Sequence, residues 1–217
     1  MTHAATLRHM TTAPNNQMPP VENTRMPTPD KTRLLEILAD KSFRYSAEPV
    51  FKLASGTMSN YYVDCRVTTH AAEGKVLIGP IIHAMIRDRQ VAAVGGMTMG
   101  ADPIACAVSY AATLAGEPIA SFSIRKEPKG HGMGKQVEGD VAAGDRVIIV
   151  EDVITTGGST LKAIAAAQRE GLEVVGVVAL VDRQEGGREA VAAEVADVQV
   201  VATRAELMAV LGQDAGD

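Results

Sequence analysis

Two adjacent carboxylates, Glu151 and Asp152, stand between an apolar run and a turn of hydroxyls and glycines. Val147 to Thr160 reads V-I-I-V-E-D-V-I-T-T-G-G-S-T. Four β-branched apolar residues before the acids predict a strand buried on both faces. The Thr/Gly turn and the amphipathic stretch from Leu161 to Glu170 predict a tight loop feeding a helix. Such a helix start collects anions, because its first N–H groups are unpaired and the helix dipole favours negative charge. Thr155, Thr156, Ser159 and Thr160 add hydroxyl donors. The acids add what a bare phosphate site lacks, ligands for sugar hydroxyls or Mg2+. A phosphorylated sugar satisfies both halves. The turn lacks G-x-x-x-x-G-K-[ST] and G-x-G-x-x-G, so neither a Walker A loop nor a dinucleotide fingerprint is present.

A second cluster is basic. Arg125, Lys126, Lys129, His131 and Lys135 fall within eleven residues, interleaved with glycine. Long connections of this kind are uncommon in compact domains. Residues 125–144 are therefore expected to form a mobile lid over a polyanionic substrate, excluding water when it closes. A third candidate is Arg183, just past an apolar run in V-D-R-Q-E-G-G. Its rigid fork suits a planar carboxylate or carbonyl edge. By residue type alone, a surface ion pair accounts for it equally well.

These groups need a frame. The chain has 217 residues, 46% hydrophobic, with 20 glycines and no Trp, so Ala, Val, Ile and Leu must fill the core. That bounds the protein to one full domain. The net charge of -5 excludes a general nucleic-acid surface. Cys65 and Cys106 form no disulfide framework or zinc pattern. No apolar run reaches the length of a membrane span, and no secretory h-region opens the chain. The expectation is a cytoplasmic protein with no membrane contact.

Residues 1–27 lack periodicity and are expected to be a disordered tail. Thr28, Pro29 and Asp30 read as N-cap, first-turn proline and first-turn acid of a helix ending near Lys41. Val50–Leu53 and Tyr61–Asp64 read as one hairpin outside the main sheet. Helix follows over 71–87, strand over 91–94, a loop over 95–100 and helix from Asp102 to Leu114. Strands are expected at 118–124, 146–150, 174–181 and 198–201, with helices at 158–170 and 204–211 and a short one between. Alternation of strand and helix implies an α/β fold with a mainly parallel, doubly wound sheet. Ligands of such sheets sit beyond the carboxyl ends of the strands.

The 147–160 stretch resembles the phosphoribosyl-pyrophosphate (PRPP) signature of the type I phosphoribosyltransferases. With F-K-L-A-S-G-T-M-S-N-Y-Y-V-D before it, R-K-E-P-K-G-H-G between and V-D-R-Q-E-G-G after, the chain is similar to orotate phosphoribosyltransferases from about residue 30 to 205. The resemblance implies transfer of 5-phosphoribose from PRPP to N1 of orotate, giving orotidine 5'-monophosphate and pyrophosphate in UMP synthesis. It also implies Mg2+ and a homodimer in which one subunit's lid completes the other's site.

On the matching positions it implies that Glu151 and Asp152 hold the ribose hydroxyls, Asp152 also touching the metal indirectly, through PRPP and water. Val153, Ile154, Thr155, Thr156, Gly157, Gly158, Ser159 and Thr160 form the rest of the PRPP stretch, of which Thr155 to Thr160 cradle the 5'-phosphate. Arg125, Lys126, Lys129 and His131 bind pyrophosphate. Tyr62 and Val63 pack on the orotate ring, with Thr155 beside it, and Arg183 takes its polar edge. Lys126, Asp152 and His131 are the catalytic candidates. One domain, 28–217, is implied, with residues 28–68 as N-terminal helix and hood. Two positions depart from the best-known bacterial pattern: Ala54 and Gly100 stand where it carries lysines. A phosphoribosyltransferase for another base, or a PRPP-binding regulator without activity, are the rival readings. The lid motif argues against the second, and Tyr62, Val63 and Arg183 argue against the first.

Overall fold

The computed structural model describes residues 29–52, 56, 58–127 and 135–213. The expected tail, Ala54, Lys129 and His131 lie outside the described residues. Six strands form the main sheet in the order β10-β9-β8-β5-β6-β7. They are β5 (Ala93–Met97), β6 (Ala120–Ile124), β7 (Val137–Gly139), β8 (Arg146–Ile154), β9 (Glu173–Asp182) and β10 (Val198–Thr203). All neighbours are parallel except β7, which runs antiparallel to β6. The doubly wound α/β sheet expected from the alternation is therefore present.

Both faces are covered, as the unbroken apolar strands require. Ile148 and Val150 of β8 face a core built with α3 (Ala72–Ile86) and α4 (Asp102–Leu114), through Ile78, Ile82, Ile104 and Val108. Val147 and Ile149 face the opposite core with Ala163, Ile164 and Ala167 of α5 (Gly158–Arg169). All four β8 side chains are fully buried. Each such burial stabilises the fold by roughly 1.5–3 kcal/mol. Among the described residues no helix is long and apolar enough to cross a membrane.

Several boundaries differ from the sequence expectation, each for a physical reason. Strand β8 runs past the acids to Ile154, because β9 continues beside it and pairs Glu151 with Ala179 and Val153 with Val181. Strand β5 takes in Gly95 and Gly96, which were expected in a loop. Side chains there would collide with Phe122 of β6 and with the Val150 carbonyl of β8, so the glycines let three strands lie flush. Residues 137–139 are an edge strand and not loop, shortening the connection after β6 to 125–136. The three-residue V-E-G carries too little pattern to show this, yet Val137 is anchored in the core.

The N-terminal region differs most. Asp30, expected inside the first turn, is itself the N-cap of α1 (Lys31–Ile37), its carboxylate accepting from Arg33 N–H at 2.9 Å. The single hairpin becomes two ladders. Strand β1 (Phe43–Tyr45) pairs with β4 (Tyr61–Val63), and β2 (Phe51–Lys52) pairs with β3 (Met58–Ser59). Asn60 separates them, donating from its amide to the carbonyls of Ser46 and Ala47. Buried Phe43 anchors β1, a strand the sequence reading missed.

Candidate active site

Strands β5 and β8 are neighbours, but the chain leaves them in opposite directions: β6 follows β5 on one side and β9 follows β8 on the other. That switch point opens a crevice at the carboxyl ends, where ligands bind in sheets of this type. A cleft of about 560 Å3 lies there. Met97 at the end of β5, Thr98 to Gly100 after it, and Glu151, Asp152, Val153, Thr155 and Ser159 from β8 and its turn, form its floor. Val63, Asp64 and Arg66 come from the hood, Lys126 from the segment after β6, and Arg183 from the end of β9.

Glu151 is 5% exposed. Its Oε2 accepts from Ser159 Oγ at 2.8 Å and from Thr160 Oγ1 at 3.0 Å. Burial, followed by the charge of Asp152, pushes its carboxyl up to about 7, while the two hydroxyls act in the other direction. Thr160 is fully buried under Glu151, so its hydroxyl is spent inside the protein and not on the cleft wall. Ile154 is likewise buried. The turn itself stays open. Gly157 sits at φ +82° as the N-cap of α5 and no side chain caps the helix. Its first N–H groups are thus left for solvent or an anion. Thr156 and Gly158 are exposed beside them.

Asp152 is half-buried, its Oδ1 accepting from the backbone N–H of Val153 at 2.9 Å. Gly100 faces it closely. A Cβ at Gly100 would sit 2.5–2.7 Å from all three carboxylate atoms. The space where a lysine stem would start is therefore occupied by Asp152. Asp64 and Arg66 pair bidentately at 2.8 Å, which holds the Asp64 carboxyl below its ordinary range. These two residues were missed in the sequence. The polar pair after Y-Y-V was the available signal.

The candidate residues divide. Lys126, Val63, Arg183, Glu151, Asp152, Val153, Thr155 and Ser159 share the cleft. Arg125 does not line it; its Nε donates to Glu138 at 3.0 Å on the outer side of the sheet edge. Tyr62 and Val63, read as one surface, occupy successive positions of a strand and so face opposite sides. Tyr62 is 41% exposed and stacks on Phe51, whereas Tyr61 shares the Val63 side and meets Arg183. Arg183 is not a surface ion pair: it is 7% exposed.

A parallel switch-point sheet with acids before a glycine turn defines a phosphoribosyltransferase, and residues 88–205 match the family model of the phosphoribosyl transferase domain. The orotate phosphoribosyltransferase of Aquifex aeolicus is 48% identical over 160 residues, covering 74% of this chain and 87% of that protein. The Mycobacterium tuberculosis H37Rv orotate phosphoribosyltransferase, solved with Fe(III) dicitrate, superposes with a TM-score of 0.72 at 39% identity, covering 82% of this chain and 99% of that one. The same enzyme in complex with PRPP superposes at 0.68 and 37% identity, over 82% and 99% of the two chains. The chain belongs to the orotate phosphoribosyltransferases.

Two outcomes are expected from this geometry. Gly100→Ala should rotate the Asp152 carboxylate out of its position and cost about 1–3 kcal/mol by overpacking. A crystal structure and urea unfolding would read both; an unmoved carboxylate with unchanged stability would refute the contact. Glu151 titrates near 4.5 when unfolded and about 7 when folded. The folded state therefore holds the proton more tightly, and stability should fall as pH rises from about 4.5 to 7, then level off. The loss is on the order of 3 kcal/mol in metal-free buffer. Glu151→Gln should flatten that slope in denaturation curves taken across the range.

Proposed function

We propose that this chain transfers 5-phosphoribose from PRPP to N1 of orotate, forming orotidine 5'-monophosphate and pyrophosphate in UMP biosynthesis. One observation carries the reading: a single cleft joins the Glu151–Asp152 pair, the α5 turn, Lys126 and Arg183. The 5'-phosphate rests on the uncapped turn of Thr155 to Ser159, and the ribose hydroxyls meet Asp152 and Glu151. Val63 packs on the base, and Arg183 receives its anionic edge as a bidentate donor. Holding N1 in line with the anomeric carbon removes most of the entropic barrier. The bond to pyrophosphate breaks through an oxocarbenium-like state that needs no covalent nucleophile. Charge that builds on the leaving group is met by Lys126, with Lys129 and His131 from the same segment.

Mg2+ fits this donor set. Among the described residues no group of three or more His, Cys, Asp or Glu forms a closed cage. Two adjacent carboxylates at an open cleft suit a cation held mainly by substrate phosphates and water. Mg2+ would supply neutralisation of pyrophosphate charge, and Asp152 is the residue that would help to hold it, indirectly.

The catalytic domain spans 28–217, with 28–68 as N-terminal helix and hood and a mobile lid within 125–144. The working unit is a homodimer. An apolar groove of about 670 Å3 between α3 and α4 supports this, lined by Val76, Pro80, Cys106 and Tyr110. Tyr110 and Met99 are each 67% exposed, and Met99 lines both groove and cleft. A second copy seated there stands beside the site, within reach of its lid. Two free thiols, Cys65 and Cys106, suit the cytoplasm.

Steady-state assays with orotate, uracil, hypoxanthine and adenine should show turnover with orotate alone; absence of orotate turnover would overturn the assignment. Lys126→Ala should lower kcat by about 10²–10³. If lids act across the interface, mixing Lys129→Ala and Asp152→Asn homodimers should restore activity through hybrids carrying one intact site. Failure to recover activity, with subunit exchange verified, would place the lid on its own subunit.

A further inference from the structure

Arg183 reaches the cleft through a device that the cleft residues do not explain. Its guanidinium carbon lies 4.9 Å from the centroid of the Tyr61 ring, and that of Arg204 lies 5.1 Å from the same centroid. Phe43 stacks on the Tyr61 ring at 6.3 Å and 24°, so the ring cannot swing freely. The Tyr61 hydroxyl donates to Glu185 Oε1 at 2.6 Å and accepts from Arg204 Nη1 at 3.3 Å. The same Glu185 oxygen is 2.8 Å from Arg183 Nη2. That last contact pairs charge without hydrogen-bond alignment: Arg183 Nε and Nη2 are both buried with no hydrogen-bond partner.

Unsatisfied buried donors on a cation are costly, and an incoming acceptor recovers the cost. Glu185 neutralises Arg183 enough to keep it folded inside, and leaves its donors unspent. We propose that Tyr61 is a positioning residue, clamping Arg183 with Glu185 and Arg204 so that its free fork selects a planar anionic base carrying a carboxylate over a neutral base. This rests on the proposed orotate reading, and it places the specificity determinant on a residue that touches Arg183 and not the substrate. β4 alternation assigns the task to Tyr61 and leaves Tyr62 outside.

The test is kinetic. Tyr61→Leu removes the ring face and the hydroxyl; KM for orotate should rise about tenfold, with KM for PRPP within about twofold and the orotate-to-uracil preference reduced. Tyr61→Phe keeps the ring and loses the hydroxyl's bonds to Glu185 and Arg204, so KM for orotate should rise about threefold. Thermal melting and calorimetric titration with PRPP show that each variant is folded. An unchanged KM for orotate in folded Tyr61→Leu, or equal rises for both substrates, would overturn the proposal. If Tyr61→Leu does not fold, Tyr61→Phe decides alone by the same split. Loss of orotate turnover in the wild type would instead sink the parent reading.

Discussion

The burial of Glu151 at the end of the central strand is the constraint to which the rest of the site is fitted. A carboxylate with 5% exposure must be satisfied from within. Ser159 and Thr160, in the first turn of α5, do so. Their hydroxyls fix the helix start against the strand end. Both hydroxyls go to Glu151, and the N-cap, Gly157 in the left-handed region, has no side chain to cap the helix. The anion-binding character of the turn is thus a consequence of how the acid beneath it is stabilised. Asp152 then remains the outward carboxylate, held by its own backbone contact and by the absence of a side chain at Gly100.

The same fit shows why Gly100 is compatible with activity. A lysine at this position would have to displace Asp152 or shift the loop after β5, since even a Cβ overlaps the carboxylate. Positive charge for a pyrophosphate must therefore enter from elsewhere, and Lys126 is the cation after β6 that lines the cleft. On the proposed lid reading, a cation carried by a segment that closes during the reaction would strengthen contacts as the reaction proceeds, and not merely substrate binding.

Legibility in the sequence followed the length of the local pattern. The β8–turn–α5 stretch was readable because four buried β-branched residues, two acids and a glycine turn are contiguous. The parallel sheet was readable from alternation. What failed was short or depended on distant partners. Strand β7 has three residues and exists through its ladder with β6. Gly95 and Gly96 look like a loop until the proximity of Phe122 and Val150 is known. The hood pairing turned on one asparagine amide reaching residues 46 and 47. Arg183 could be placed at a strand end but not weighed, since its burial comes from Tyr61, 122 positions earlier.

That long-range contact indicates how the hood serves the sheet. The two-stranded β1–β4 unit is too small to be stable alone. It is held by Phe43, buried against the α3–α4 side core, and by the Tyr61 bonds to Glu185 and Arg204 at the opposite end of the chain. The position of Tyr61 is therefore tied to the segment after β9 and to α7 (Arg204–Val210) as well as to its own ladder. A base bound between Val63 and Arg183 would touch two elements already tied to each other through Tyr61. The base site and the phosphate turn, by contrast, are linked by the β8–β9 ladder, which pairs Ile154 with Asp182 next to Arg183. On the proposed reading, the distance between phosphate and base would be set by regular strand pairing, and the orientation of the base by one aromatic ring.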